Sequence, residues 1–180
     1  KFVAGNSIVI TNDTGKDGDI TIAMDLSPTV TSIQKTGTNG SGDIGSSANR
    51  FATIYGTSTS AKYADLAEKY TTDKVYEVGT VIVVAAAGDA EGTASYQTAQ
   101  RVLGVVSAKP AFLMNDEAPG QALALRGRVP VKVIGPIRKG QPLISNSRGE
   151  AIYGDHQNSF AIALESNQED GLKLVECVIL

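Results

Sequence analysis

At 180 residues, 42% of them hydrophobic, the chain is long enough to bury a core in one or two domains. Its 16 Lys+Arg against 19 Asp+Glu give a formal net charge of −3, with the basic residues scattered. That argues against a nucleic-acid partner, which calls for a basic stripe, and no run of ~18 apolar residues offers a membrane-inserting helix. In chain order, the sequence opens at Lys1 without methionine or a basic-then-apolar leader, and is read as part of a longer protein. Ser7-Ile8-Val9-Ile10-Thr11 and Asp19-Ile20-Thr21-Ile22-Ala23-Met24 alternate around a polar turn at 12–18, which reads as a β-hairpin. Ile8, Ile10, Ile20 and Ile22 share one face of it. A two-stranded unit is marginal alone, so that face is expected to pack on further copies of the chain. The Gly/Ser/Thr/Asn-rich stretch 37–60 has a linker's composition, yet Ile44, Phe51, Ile54 and Tyr55 punctuate it as anchors for a neighbour.

Residues 61–70 read as the one helix, since Tyr63, Leu66, Ala67 and Tyr70 recur at helical spacing among good helix formers. Short strands follow at 80–85, 101–107, 122–126, 128–134, 142–145, 151–153, 160–164 and 172–179. Gly-, Pro- and Asn/Asp-rich turns separate them. The single cysteine, Cys177, leaves no intrachain disulfide or multi-cysteine metal site and reads as a buried small hydrophobe. The expected fold is therefore mostly β. A hairpin and loop-rich segment (1–60) precedes a compact C-terminal sandwich or barrel-like domain (61–180) that opens with a short helix.

Three polar clusters invite a chemical reading. On a helix, Asp65 and Glu68 would lie on one face, where two carboxylates can divide acid and base roles if their pKa values separate. The alternative is a solvated face on which Lys62 and Lys69 pair with them. His156, the only histidine, sits in the turn-like Gly154-Asp155-His156-Gln157-Asn158-Ser159, too close to Asp155 for an ordinary triad. The 12–19 loop resembles a calcium loop but lacks the glutamate at its twelfth position, so it reads as a turn. No cofactor and no metal is called for.

Four blocks in order resemble the C-terminal regions of tailed-phage virion structural proteins, the tail fibres and appendages. They are Asp43–Gly56 (with Ile44-Gly45-Ser46-Ser47-Ala48-Asn49-Arg50-Phe51), Thr59–Tyr70 (with Ala61-Lys62-Tyr63-Ala64-Asp65-Leu66-Ala67-Glu68), Gly104–Asn115 and Ala124–Gly140. More distantly, Asp65/Glu68 and the Gly104–Pro110 block are similar to the autoproteolytic C-terminal domain of phage pre-neck appendage proteins. That domain is an intramolecular chaperone classed with glutamic peptidases. The resemblance implies a trimeric structural role in the virion, made in the host cytoplasm; the hairpin face and the anchors read above, Ile8, Ile10, Ile20, Ile22, Phe51, Ile54 and Tyr55, are then expected at the interface between copies. It also implies other tail or fibre proteins as partners. Self-cleavage through Asp65 and Glu68 is a second reading. A third is recognition of a host surface receptor by the loops at 87–94 and 154–159.

Overall fold

The computed structural model describes residues 44, 48–52 and 60–180. The chain divides into two units, Lys1–Ile54 and Tyr55–Leu180. In the first, Ile44 and Phe51 are exposed. The proposed interface residues Ile8, Ile10, Ile20, Ile22, Ile54 and Tyr55 lie outside the described residues, as does the 12–19 loop.

The second unit is built of ten strands, and among the described residues none is helical. They are β1 (Asp65–Tyr70), β2 (Val81–Val84), β3 (Gly92–Ala94), β4 (Val102–Val106), β5 (Phe112–Met114), β6 (Gln121–Ile134), β7 (Pro142–Ser145), β8 (Ala151–Tyr153), β9 (Ala161–Ala163) and β10 (Leu172–Ile179). Following the pairings β6–β8–β7–β9–β10 and back to β6 closes a five-stranded barrel. Only its β6–β8 contact is parallel. Closure removes free edges from those strands, which short pieces such as β8 and β9 could not protect by themselves.

The barrel core follows from strand alternation. Val129, Val131 and Val133 of β6 point inward with Val175, Cys177 and Ile179 of β10, Val131 opposite Val175 and Val129 opposite Cys177, and meet Leu143, Ala151, Ala161 and Ala163. Alanines on the short strands leave room for the valines of the long ones. Upstream, β2, β4 and the first half of β6 are buried on both faces. Val81, Val105 and Ala124 join the barrel core, while Ile82, Val106 and Leu123 form a second cluster under Tyr70 and Tyr76. Burial on both sides is why Val81-Ile82-Val83-Val84 reads as an unbroken apolar run and not as an alternating one.

The long strand β6 changes partners along its length. Its first half pairs with β4 and β1, its second with β8 and β10, and Gly127 is opposite Asp65 on one neighbour and Ile179 on the other. A register shift leaves Leu125 unpaired, a bulge that turns the strand. Gly127 adopts φ +99, and a Cβ there would stand 2.2 Å from the Ala64 carbonyl oxygen. Only glycine lets β1 come this near.

The helix expected over 61–70 is not formed: 65–70 is strand β1. Its ladder partners are β6 on one side and β5 on the other, in parallel with the latter, so both backbone edges are satisfied within the sheet. About ten helix-forming residues bring too little intrinsic stability to resist such a ladder. The segments expected separately at 122–126 and 128–134 are the single strand β6. Part of the 87–94 loop is β3, paired with β2.

Candidate functional site

The strand conformation decides where the two carboxylates go. Asp65 and Ala67 are buried, whereas Leu66 is exposed and Glu68 half-buried. Residues three apart on a strand face opposite sides. Asp65 and Glu68 therefore do not share a face of the segment, as a helix would have required.

Asp65 lies at the end of β1, 5% exposed, where Ser107 Oγ donates to its Oδ2 at 2.6 Å. Ser107 follows directly on β4, so the sheet brings together two residues 42 positions apart. The Asp65 carbonyl also accepts from Ala111 N at 2.9 Å, which ties in the chain leading to β5. Around this pair opens a cleft of about 320 Å³ lined by Lys62, Lys109, Arg128 and Glu176 as well as Asp65 and Ser107. Three cations at its rim complement the buried carboxylate. Glu68 belongs to a different environment: its Oε2 accepts from Tyr70 Oη at 2.8 Å. Burial of Tyr70, then that bond and the nearby glutamate charge, raises the phenol's pKa above its ordinary value. Asp65 thus has a hydroxyl partner in a cleft, and Glu68 serves as acceptor for a tyrosine.

Ser107 is the residue of this site that sequence reading did not assign. Its signal was present, a hydroxyl closing an apolar strand ahead of Ala108-Lys109-Pro110, but nothing local connects it with Asp65. His156 is exposed, and its carbonyl accepts from Ser159 Oγ at 3.0 Å. Asp155 bonds Asn158 instead, through the backbone N at 2.9 Å and Nδ2 at 3.1 Å, and these bonds hold its carboxyl below the usual range. The pair Asp155/His156 shapes a turn. Among the described residues no cluster of His, Cys, Asp and Glu could hold a metal ion.

Cys177 faces the barrel core, fully buried, and burial pushes its thiol up to about 12. Because the thiolate is the reactive form, the native protein is expected to resist a disulfide reagent at mildly alkaline pH. It should react fully once denatured. Rapid labelling of the folded protein would show that the barrel opens more readily than this packing allows.

No family model and no curated protein matches the chain. Among solved structures, it matches the pre-mature gene product 12 of bacteriophage phi29 with a TM-score of 0.55 and 12% identity, over 71% of this chain and 23% of that one. A C-terminal fragment of the same gene product matches with a TM-score of 0.49 and 12% identity, over 64% of this chain and 100% of the fragment. The base of the phi29 head fibre gp8.5 gives 0.38 and 15%, over 64% and 93%. The chain thus shares the fold of part of phi29 gene product 12 and spans 23% of that protein's length.

Proposed function

We propose that this chain is a structural component of a tailed-phage virion, the C-terminal part of a trimeric tail fibre or appendage. The observation that carries the reading is the barrel with its flanking strands, a fold shared with phage phi29 gene product 12. It stands on a sequence whose four ordered blocks independently resemble phage fibre and appendage proteins. The barrel's outer face supports it further. Leu172 and Leu174 of β10 are each about half exposed, and Leu172 lies opposite Ile134 of β6, apolar surface of the kind that another chain covers. Light scattering is expected to return the mass of three chains, and an antibody to this chain should decorate purified particles on the tail or an appendage. A monomeric mass would remove the trimer, and particles without label would overturn the virion reading.

A self-processing role for Asp65 and Glu68 is the second reading, and the burial of Asp65 against Ser107 in a cleft is what favours it. Against it stands the placement of Glu68 on the other side of β1. Mass spectrometry after long incubation is therefore expected to find the chain whole. A split just ahead of Asp65, abolished by Asp65→Asn with Glu68→Gln, would replace the purely structural reading with self-processing.

A further inference from the structure

Among the described residues, the second unit protects its strand edges with one exception. The barrel strands are paired on both sides by closure. At the far end of the sheet the outer side of β3 is capped. Gly92 N donates to the Thr71 carbonyl at 3.0 Å, the Gly92 carbonyl accepts from Asp73 N at 3.2 Å, and Ala94 N donates to Tyr76 Oη at 3.0 Å. The exception is β5, which has β1 as its one ladder partner and is open on its other side. It is nonetheless held firmly. Just before it, Ala111 N bonds the Asp65 carbonyl at 2.9 Å, and just after it, Lys69 Nζ bonds the Asp116 carbonyl at 2.8 Å. A fixed, apolar, open edge is one that folded proteins cover.

The side chains beside that edge form a row across three strands. Phe112 of β5 stands opposite Leu66 of β1, which stands opposite Arg126 of β6. Phe112 is 62% and Leu66 38% exposed. Arg126 is exposed too, and its guanidinium has no hydrogen-bond or ion-pair partner among the described residues. A second row runs along β10, where Leu172, Leu174 and Glu176 fall on one face at alternate positions. Both leucines are about half exposed. Glu176 is half-buried at the rim of the Asp65 cleft, and its carboxylate likewise has no such partner among the described residues. The rows share an order, apolar, apolar, charged, and end on opposite charges. At about 4.8 Å per strand the first spans ~10 Å, and at about 3.3 Å per residue the second spans ~13 Å, a difference that an arginine side chain can bridge. Within one copy the two charges do not meet. Glu176 lies opposite Pro130, four positions along β6 from Arg126, roughly 13 Å away.

We propose that the Phe112, Leu66 and Arg126 row of one copy docks on the Leu172, Leu174 and Glu176 row of the next, so that three copies close a ring in which each covers its neighbour's open β5 edge. The inference rests on the trimeric reading above and names the surfaces that would make it. Three-fold symmetry needs two different patches per copy, each meeting the other on a neighbour. Pairing β5 with the same strand of a second copy would instead need a two-fold axis and stop at a dimer. Burial of the apolar residues supplies the attraction, while the Arg126–Glu176 pair fixes which row lies on which, and in what direction.

The test uses the full chain carrying Phe112→Cys and Leu172→Cys together. Mild oxidation is expected to give a covalent trimer on non-reducing gels, and neither change alone should link chains, since Cys177 is shut inside the barrel core. Dimers formed by Phe112→Cys alone would overturn the proposal in favour of a two-fold contact. A second measurement needs no new thiols. Arg126→Glu and Glu176→Arg should each raise the midpoint concentration for trimer formation by at least about tenfold, because three pairs are lost at once. The combined swap should recover most of that loss. A trimeric chain in which the cysteines do not link, or in which the swap brings no recovery, overturns these surfaces and leaves the trimer standing. A monomeric mass for the unmodified chain removes the trimeric reading itself, and the proposal with it.

Discussion

Gly127→Ala is expected to destabilise the second unit by about 2–4 kcal/mol, read as a fall in the urea midpoint at unchanged slope. Two costs combine there. At φ +99 a residue with a Cβ is strained, which contributes roughly 1 kcal/mol. In addition the new methyl would stand 2.2 Å from the Ala64 carbonyl oxygen and 3.0 Å from Asp65 Cα, both backbone atoms of the strand that must then move. Gly135 separates the two costs: it has φ +83 but nothing within 4 Å of a built Cβ. Gly135→Ala should therefore lose only the conformational part, about 1 kcal/mol. Equal losses at the two positions would mean that β1 does not approach β6 as described, and the placement of Asp65 would fall with it.

The second large effect is expected at Val131. It is fully buried in the barrel half of β6, opposite Val175. In Val131→Asp a carboxyl group would enter a site walled by aliphatic side chains. It must either ionise there unpaired or stay protonated and still lose hydration, at a cost of about 4 kcal/mol or more. For a unit of this size that lowers the melting temperature by at least about 10 °C, if the variant folds at all. Leu172→Asp is the control. Leu172 is 52% exposed on the barrel's outer face, and a carboxylate there remains in water. Its loss should stay within about 1 kcal/mol for the isolated chain. Similar melting of the two variants would contradict the inward and outward alternation of the barrel strands.

The parts of this fold that were legible are those in which local pattern and final environment agree. The strands at 142–145, 151–153 and 172–179 carry apolar or alternating residues between turn formers, and they are strands over those same residues. Gly127 divides one strand into two expected segments, whereas it is a strand-interior glycine that lets another backbone approach closely, a role no local pattern distinguishes from a turn. Gly92-Thr93-Ala94 and Phe112-Leu113-Met114 are too short to show a period, and each becomes a strand only because a neighbour supplies its ladder. The segment 65–70 is the sharpest case. Its composition favours helix, and long-range pairing overrides it. The same override governs the candidate site. Asp65 could be singled out from its resemblance, but its placement apart from Glu68 and beside Ser107 depends on a strand that local propensity argued against.

The division of β6 between two sets of neighbours has a consequence for how this unit opens. Its first half completes the layer containing β1, β2 and β4, and its second half closes the barrel with β8 and β10. Opening either set sub-globally would strip one end of a strand whose other end is still held, exposing backbone groups and the shared core residues Val105 and Ala124. The two layers are thereby coupled like two leaves on one hinge pin, and the most protected amides of both should report the same opening free energy.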